Sequence, residues 1–505
     1  MTSPAVAPLP EQVAVFIIGA GFAGLGAAIA LAGSGEQDFL CVDRGAEVGG
    51  TWRDNTYPGA ACDVPSQLYS FSFALNPDWS RSFSPQPEIQ DYLRKVARDS
   101  GVLDRFRFGV SFEAASWDSA AALWRIETSA GPVAAKLLVS AAGALSEPKM
   151  PDIAGVETFG GAVFHSARWR HDQDLTGRRV AVVGTGASAI QLVPAIAEQA
   201  ARVDVYQRTA PWVLRRRDRQ YRPLEKLALR RVPGLQRLVR SLVYLGREAT
   251  VPMFIAAPAI GSLVSRSATA NIERAIPDPV LRAKVQPHFA LGCKRVLISN
   301  DWYPALTRDN VELITEPISR ITDTAIVTAD AAVRNIDVLI VATGFTATEQ
   351  PIASQIKGRD GRTLSDAWAE RGVHAYKGST VPGFPNLFLL VGPNTGLGHS
   401  SMVFMIESQL NYLVDAWRQL RQRGLASVEP HPAAELAWNA ELQRRMRRTV
   451  WNTGGCNSWY LDAHGRNVAL WPRTTYKFRR LTSSFDLAAY RCLPHAEQRQ
   501  SGDVA

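Results

Sequence analysis

The chain carries two copies of one local pattern, an apolar run that stops at a glycine turn and resumes as a small-residue helix. In the first copy the run Val13 to Ile18 reads as a buried strand, GAGFAG supplies a GxGxxG turn, and the alanine-rich stretch after Gly24 reads as a helix. Gly19 permits the tight turn, Gly21 lets the backbone approach a pyrophosphate, and Gly24 allows the helix to lie close on the strand, with Phe22 and Ala23 opening that helix. A following strand, Phe39 to Asp43, ends in a carboxylate about 20 residues past the turn, where it suits a ribose hydroxyl. Such a unit is a dinucleotide site, and it requires a parallel α/β sheet around it.

The second copy has a strand at Val180 to Val183, a turn through Gly184, Gly186 and Ala189, and a strand at Val203 to Tyr206. Alanine in the last turn position is compatible with the pattern. The strand ends differ: Gln207, Arg208 and Thr209 stand where the first copy has an acid. A carboxylate there would repel a 2′-phosphate, whereas a guanidinium can pair with it in two hydrogen bonds. The first site is therefore expected to hold FAD and the second NADPH, a pairing that suggests electron transfer from NADPH to a flavin.

Bulk properties narrow the remaining classes. At 505 residues the chain suggests two to three domains, at roughly 150 residues each. With 46% hydrophobic and 20% charged residues it reads as globular rather than fibrous or disordered. The opening MTSPAVAPLP has no signal-peptide pattern, and no apolar run reaches the ~18 residues of a membrane helix, so a cytoplasmic protein is expected. A formal charge of +9 favours anionic partners, but no nucleic-acid recognition motif accompanies it. The five cysteines (Cys41, Cys62, Cys293, Cys456, Cys492) are scattered and never spaced as CxxC; the expectation is spectator thiols, with no disulfide framework, dithiol pair or metal site.

Just before the second glycine turn lies FGGAVFHSARWRHD, too aromatic for a plain linker. Phe159, Gly161, His165 and Trp169 match the FxGxxxHxxxW[P/D] fingerprint of the type I Baeyer-Villiger monooxygenases, within the class B flavoprotein monooxygenases, which this chain resembles over nearly its whole length. Arg170 departs from the fingerprint's last position. GGTW (Gly49 to Trp52) and YPGAACD (Tyr57 to Asp63) are similar to the family's flavin-contacting loop, CKR (Cys293 to Arg295) to its catalytic-arginine segment, DVLIVATGF to the strand and turn closing its nucleotide domain, and FPNLFLLVGPNTGLGHSS to its last flavin-domain strand and loop.

The resemblance implies that NADPH reduces FAD, that a C4a-peroxyflavin then attacks a lipophilic ketone, and that an ester or lactone forms. Arg295 is the implied catalytic cation, since a guanidinium stays charged at any working pH and can face an oxyanion, and Asp63 is its orienting partner. The implied flavin set adds Arg44, Gly50, Thr51, Trp52, Tyr57, Tyr69, Asn394 and Met402 to the first turn and Asp43; the NADPH set adds Thr185, Ser188, Gln191, Lys294, Ala342, Thr343 and Gly344 to the second turn, Arg208 and Thr209. The fingerprint is implied to link movement of the NADPH domain to the flavin site. Rival readings are oxygenation of nitrogen or sulfur, and a non-oxygenating NADPH-flavin reductase or nucleotide-binding regulator.

Two regions carry less information. Residues 211–290 repeat apolar residues at helical spacing among many arginines; they read as a helical insert, either a lid lining a lipophilic pocket and touching a membrane surface, or a structural insert whose arginines face water. The C-terminal WNTGGCNSWYLDAHGRNVALWP offers Trp451, Trp459 and Trp471 as walls of a substrate pocket, with ordinary packing as the alternative. The expected architecture is α/β with two Rossmann-like domains: FAD at 10–150 and 385–493, NADPH at 151–210 and 291–384, the insert at 211–290, and a disordered tail at 494–505.

Overall fold

Both glycine units form strand, turn and helix, in a computed structural model that describes residues 8–255, 258–348, 350–462 and 464–494. In the first, strand Gln12–Ile18 leads through Gly19 to helix Phe22–Gly33 and strand Phe39–Asp43. Gly19 sits at φ +98°, a left-handed conformation that favours glycine, and a Cβ on Gly24 would lie 1.7 Å from the Gly19 carbonyl oxygen. Any side chain at 24 would therefore drive the helix off the turn.

Around this unit five strands run parallel in the order Phe106–Phe108, Phe39–Asp43, Gln12–Ile18, Val133–Ser140 and Leu387–Leu389. The other end of Val133–Ser140 continues antiparallel into Leu123–Thr128 and Phe112–Asp118. A strand from the last third of the chain thus completes a sheet begun at its start. The second sheet is wholly parallel: Val311–Ile314, Arg202–Tyr206, Arg179–Val183, Val338–Val341 and Ala162–His165.

The central parallel strands are covered on both faces, which is why Val13 to Ile18 and Val180 to Val183 read as unbroken apolar runs. Val15 and Ile17 pack under helix Phe22–Gly33 and the long helix Met402–Gln422, while Phe16 and Ile18 face a second cluster with Trp124 and Leu387. In the second sheet Val180, Val182, Val203 and Val205 face one way, Ala181, Leu339 and Val341 the other.

Between Arg202–Tyr206 and the short strand Leu297–Ile298 the described residues make five helices: Pro223–Arg231, Leu235–Glu248, Val251–Ile255, Pro258–Ala275 and Pro279–Val285. Helix Leu235–Glu248 bears on both readings of this region. On Leu235–Glu248 the leucines Leu238, Leu242 and Leu245 are 55–59% exposed, so they line no interior pocket. The inward contact is made instead by Arg240, buried and donating to the carbonyls of Gln67 and Leu68 and to Ser70 Oγ at 3.0 to 3.1 Å. Those acceptors satisfy a charge that burial would otherwise make costly.

The cysteine expectation is also corrected. Cys293 and Cys456, 163 residues apart, form a disulfide, while Cys41, Cys62 and Cys492 are free. Local spacing cannot reveal such a pair, because tertiary packing alone brings its two loops together. The described chain closes with strand Tyr490–Pro494 against Leu425–Pro430; the rest of the tail expectation, 495–505, lies outside the described residues. Among the described residues no helix is long and apolar enough to cross a membrane, and no group of three or more His, Cys, Asp or Glu could hold a metal.

Gly24→Val should cost about 3 kcal/mol or more, the upper end for overpacking a closed site. Urea unfolding measures this, and a variant of unchanged midpoint would contradict the close-approach argument.

Candidate functional site

The site is organised by one ion pair. Arg295 donates from Nε to Asp63 Oδ2 at 2.8 Å and from Nη2 to Oδ1 at 2.7 Å, a two-pronged contact that fixes the plane of the guanidinium. The side chains remain 38% and 28% exposed, so the pair has an open side. Asp63 above all raises the Arg295 pKa, against the opposing effect of burial. The guanidinium is a fixed positive charge at any working pH.

Two neighbours of this pair escape sequence reasoning. Arg247, at the end of helix Leu235–Glu248, donates from Nη2 to the Asp63 carbonyl at 3.0 Å, and its Nε is buried without a partner. Burial lowers its pKa and Asp63 pulls it back up. It hides among 56 basic residues; the available signal is that Arg240 and Arg247 recur seven apart, on one helix face. Tyr460 is the other: burial pushes its phenol up to about 12, while the Arg295 charge draws it down. Beside them Cys62 is buried with its thiol pKa raised, and Trp52 Nε1 donates to Tyr69 Oη at 3.0 Å.

At the first glycine turn Asp43 accepts from the Ala20 amide, the Gly45 amide and Arg53 Nη1, each at 2.7 Å. A carboxylate offers about four lone-pair positions, so one is left for a ribose hydroxyl. Gly50, at φ +53°, comes so near Gly21 that a Cβ on it would lie 3.0 Å from the Gly21 Cα, which brings two backbone loops together without side chains between them. Thr51 is exposed beside this approach, Ala23 is buried in the first helical turn, and the Phe22 ring meets Tyr69 edge-on at 5.3 Å. Arg44 is engaged with Glu147. Met402 opens the long helix, capped by Ser401. Asn394 spends both amide hydrogens on the carbonyls of Asn467 and Leu470, tying the glycine-rich loop to the C-terminal region.

At the second turn Gly184 (φ +114°) lies against the Ala342 carbonyl, Thr185 donates to the Thr209 carbonyl, and the Gly186 carbonyl accepts from the Ile190 amide. Thr343 and Gly344 both hydrogen-bond the backbone of Lys149. Arg208 and Thr209 are exposed. Lys294 has its pKa lowered by burial first and by Arg208 second, and its Nζ lies 5.3 Å from the Phe289 ring centroid. Neither Lys294 nor Arg208 makes an ion pair among the described residues. Two neighbouring cations without a counter-charge form a place for an anion.

Gln191 and Tyr57 hold the two nucleotide units together rather than standing free at a turn. Gln191 accepts the Ala61 amide at 2.7 Å and donates to the Ala187 carbonyl, so both ends of its amide are engaged. Tyr57 packs in the second sheet's core and hydrogen-bonds Ser188, the residue before helix Ala189–Ile196.

The fingerprint residues form an edge of the second sheet. Phe159 is buried under it, Gly161 leads into strand Ala162–His165, the His165 Nδ1 accepts from the Ala167 amide, and Trp169 meets Phe164 at 90°. Burial lowers the His165 pKa. Arg170 pairs with Asp172 at the surface. A cleft of about 340 Å³ lies between Pro58, Trp169, His171 and Leu175, where the segment faces the first unit's loop. Trp451 stacks on Phe254 and Trp471 on Trp438, each buried, while Trp459 is 50% exposed. His399 Nε2 lies 3.2 Å from Glu248 Oε1.

Comparison with known proteins agrees with this geometry. Residues 16–240 match a family model described as pyridine nucleotide-disulphide oxidoreductase. A Baeyer-Villiger monooxygenase of Streptomyces coelicolor is 50% identical over 496 residues, 98% of this chain and 95% of that protein. This chain belongs to the Baeyer-Villiger monooxygenase family. A Pseudomonas aeruginosa Baeyer-Villiger monooxygenase is 48% identical over 94% of this chain and 90% of its own length. Among solved structures, OTEMO in complex with FAD and NADP superposes with a TM-score of 0.87 at 28% identity, covering 97% of this monooxygenase and all of that chain. Oxidized steroid monooxygenase bound to NADP gives 0.83 at 30% identity, covering 96% and 100%.

Lys294→Met should raise the KM for NADPH by roughly 10- to 100-fold, the loss of one charge-assisted contact, with little change for NADH. The lowered Lys294 pKa also sets a sign: the NADPH KM should begin to climb below the ordinary lysine range as pH rises, and Lys294→Arg should abolish that climb. Steady-state kinetics with both nucleotides checks both statements.

Proposed function

We propose that this monooxygenase holds FAD at the first turn and NADPH at the second, and inserts one oxygen atom of O2 beside the carbonyl of a lipophilic ketone. The balance is ketone, O2, NADPH and a proton giving ester or lactone, NADP+ and water. Activation of O2 by two electrons is the chemistry the flavin supplies when bound. The chain's own residues do the rest.

The observation that carries this reading is the fixed cation Arg295, held in two hydrogen bonds by Asp63 with one side open. Its guanidinium faces charge that develops on oxygen and, unable to give up its proton, keeps that oxygen anionic. Asp63 orients it, and Arg247 supports Asp63 from the insert. Gly21 and Gly50 fit a pyrophosphate, the spare lone pair of Asp43 fits a ribose hydroxyl, and Arg208 with Lys294 fit a 2′-phosphate. A lipophilic ketone agrees with the apolar cluster Phe254, Met446, Trp451, Tyr460 and Leu470, which reaches the ion pair through Tyr460. The cytoplasm, a source of NADPH, is the setting this reading implies.

Arg295→Ala should lower ester formation by about 100- to 1,000-fold, the usual loss on removing an oxyanion donor, while NADPH is still consumed and hydrogen peroxide replaces ester. Ester, peroxide and NADPH counted together test it; normal ester yield would remove Arg295 from the reaction. A ketone and a thioether in competition decide between carbon and heteroatom oxygenation, with ester as the expected main product.

The exposed leucine stripe on Leu235–Glu248, flanked by Arg230, Arg231 and Arg237, favours a second property, contact with anionic membrane surfaces. Co-sedimentation with anionic liposomes that falls with salt is the expected outcome, and its absence would retire this property alone.

A further inference from the structure

We propose that Cys293 and Cys456 are a thiol-oxidation site that locks the arginine segment to the C-terminal aromatic loop. Cys293 immediately precedes Lys294 and Arg295, the cations of the nucleotide and oxygen chemistry. Cys456 lies four residues before Tyr460, which interacts with the Arg295 charge. A bond between the two sulfurs therefore joins the roots of two groups that meet at the ion pair.

Packing brings these loops together independently of the bond. The Ala290 amide donates to the Gly454 carbonyl at 2.9 Å, and a Cβ at Gly454 would lie 2.6 Å from the Cys293 Cβ. Position 454 must lack a side chain for the loop to lie on Cys293. The resulting Cα separation of 6.1 Å is within the range a disulfide spans. The pair thus forms and opens without rearranging the fold.

Exposure divides the chemistry between the two sulfurs. Cys293 is fully buried among Trp212, Phe289 and Leu291, whereas Cys456 lies at the cluster's edge, partly open. The Cys456 thiolate attacks hydrogen peroxide to give a sulfenic acid and, with one proton, water. The Cys293 thiol then attacks that sulfur and expels the second water. In sum two thiols and one hydrogen peroxide give one disulfide and two waters, the sulfurs being oxidised and the peroxide reduced. The oxidant arises at the same site whenever no ketone is present, as NADPH, O2 and a proton give hydrogen peroxide and NADP+. The other thiols are poor competitors: burial raises the pKa of Cys41, Cys62 and Cys492 alike.

In a reducing compartment such a bond is transient and responsive rather than structural. Closed, it holds Arg295 in place; opened, it frees the segment to shift, and displacement of a catalytic group by a fraction of an ångström is expected to lower ester per NADPH by roughly 3- to 10-fold. This consequence rests on the monooxygenase reading of the site, while the thiol count below does not.

The test uses the full-length, flavin-loaded enzyme. Alkylation and mass spectrometry under denaturing conditions should find three reactive cysteines after peroxide treatment and five after dithiothreitol, with the lost pair mapped to Cys293 and Cys456. Ester per NADPH should fall on reduction and recover on reoxidation. Cys456→Ser should stay in the low state whatever the redox treatment, and Cys492→Ser should respond like the parent. Five free thiols after peroxide in folded enzyme, or identical ester yields in both states, would overturn the proposal. Normal disulfide formation with no ester in either state would leave the bond standing and reject its link to catalysis along with the ketone reading.

Discussion

The Asp63–Arg295 pair is the contact on which the site depends, because it joins segments 232 residues apart that belong to different sheets and loops. Asp63 reaches it from the loop after the first glycine unit, Arg295 from the segment that resumes after five helices, Arg247 from the end of one of those helices, and Tyr460 from the C-terminal loop. A charge held this way keeps its position without reorganising as the substrate's charge changes, which is what electrostatic catalysis requires. Arg240 and Arg247 thus tie helix Leu235–Glu248 to the segment Asp63 to Ser70, with Leu238, Leu242 and Leu245 left outside.

The second dependence runs along the backbone from Arg295 to its neighbour. Lys294 feels the charge of Arg208 while Arg295 pairs with Asp63, so consecutive residues belong to the two proposed centres, that of the nucleotide's phosphate and that of the oxygen chemistry. A single peptide unit thus couples the two positions. Gln191 and Tyr57 reinforce this coupling by fastening the first unit's loop to the second glycine turn. The edge segment with Trp169 and His171 joins the same boundary, where the Thr56 hydroxyl lies 2.8 Å from His171 Nε2.

The sheets were legible because central parallel strands covered on both faces are mostly apolar and because glycine turns leave a spacing that few other structures need. The missing acid at a strand end pointed to Arg208, which lies exposed near Lys294, and the pairing of Arg295 with Asp63 was legible through their motifs. Residues that act through tertiary contact were not. Arg247 lies in an arginine-rich stretch without a motif, and Arg53 pairs with Asp43 from the short helix Thr51–Asp54, a contact that no spacing announces. Cys293 and Cys456 share no spacing at all. For the tryptophans composition left pocket wall and packing open, because a large indole suits both, and in the fold Trp451 and Trp471 are buried.

The most direct test of the central claim is a double-mutant cycle on Asp63 and Arg295, read as ester formed per NADPH in variants that retain flavin. If the two act as one unit, Asp63→Ala alone should be strongly impaired, and the double variant should lie within about twofold of Arg295→Ala, since interacting residues are not additive. Losses that multiply, with Asp63→Ala as damaging without Arg295 as with it, would contradict the account.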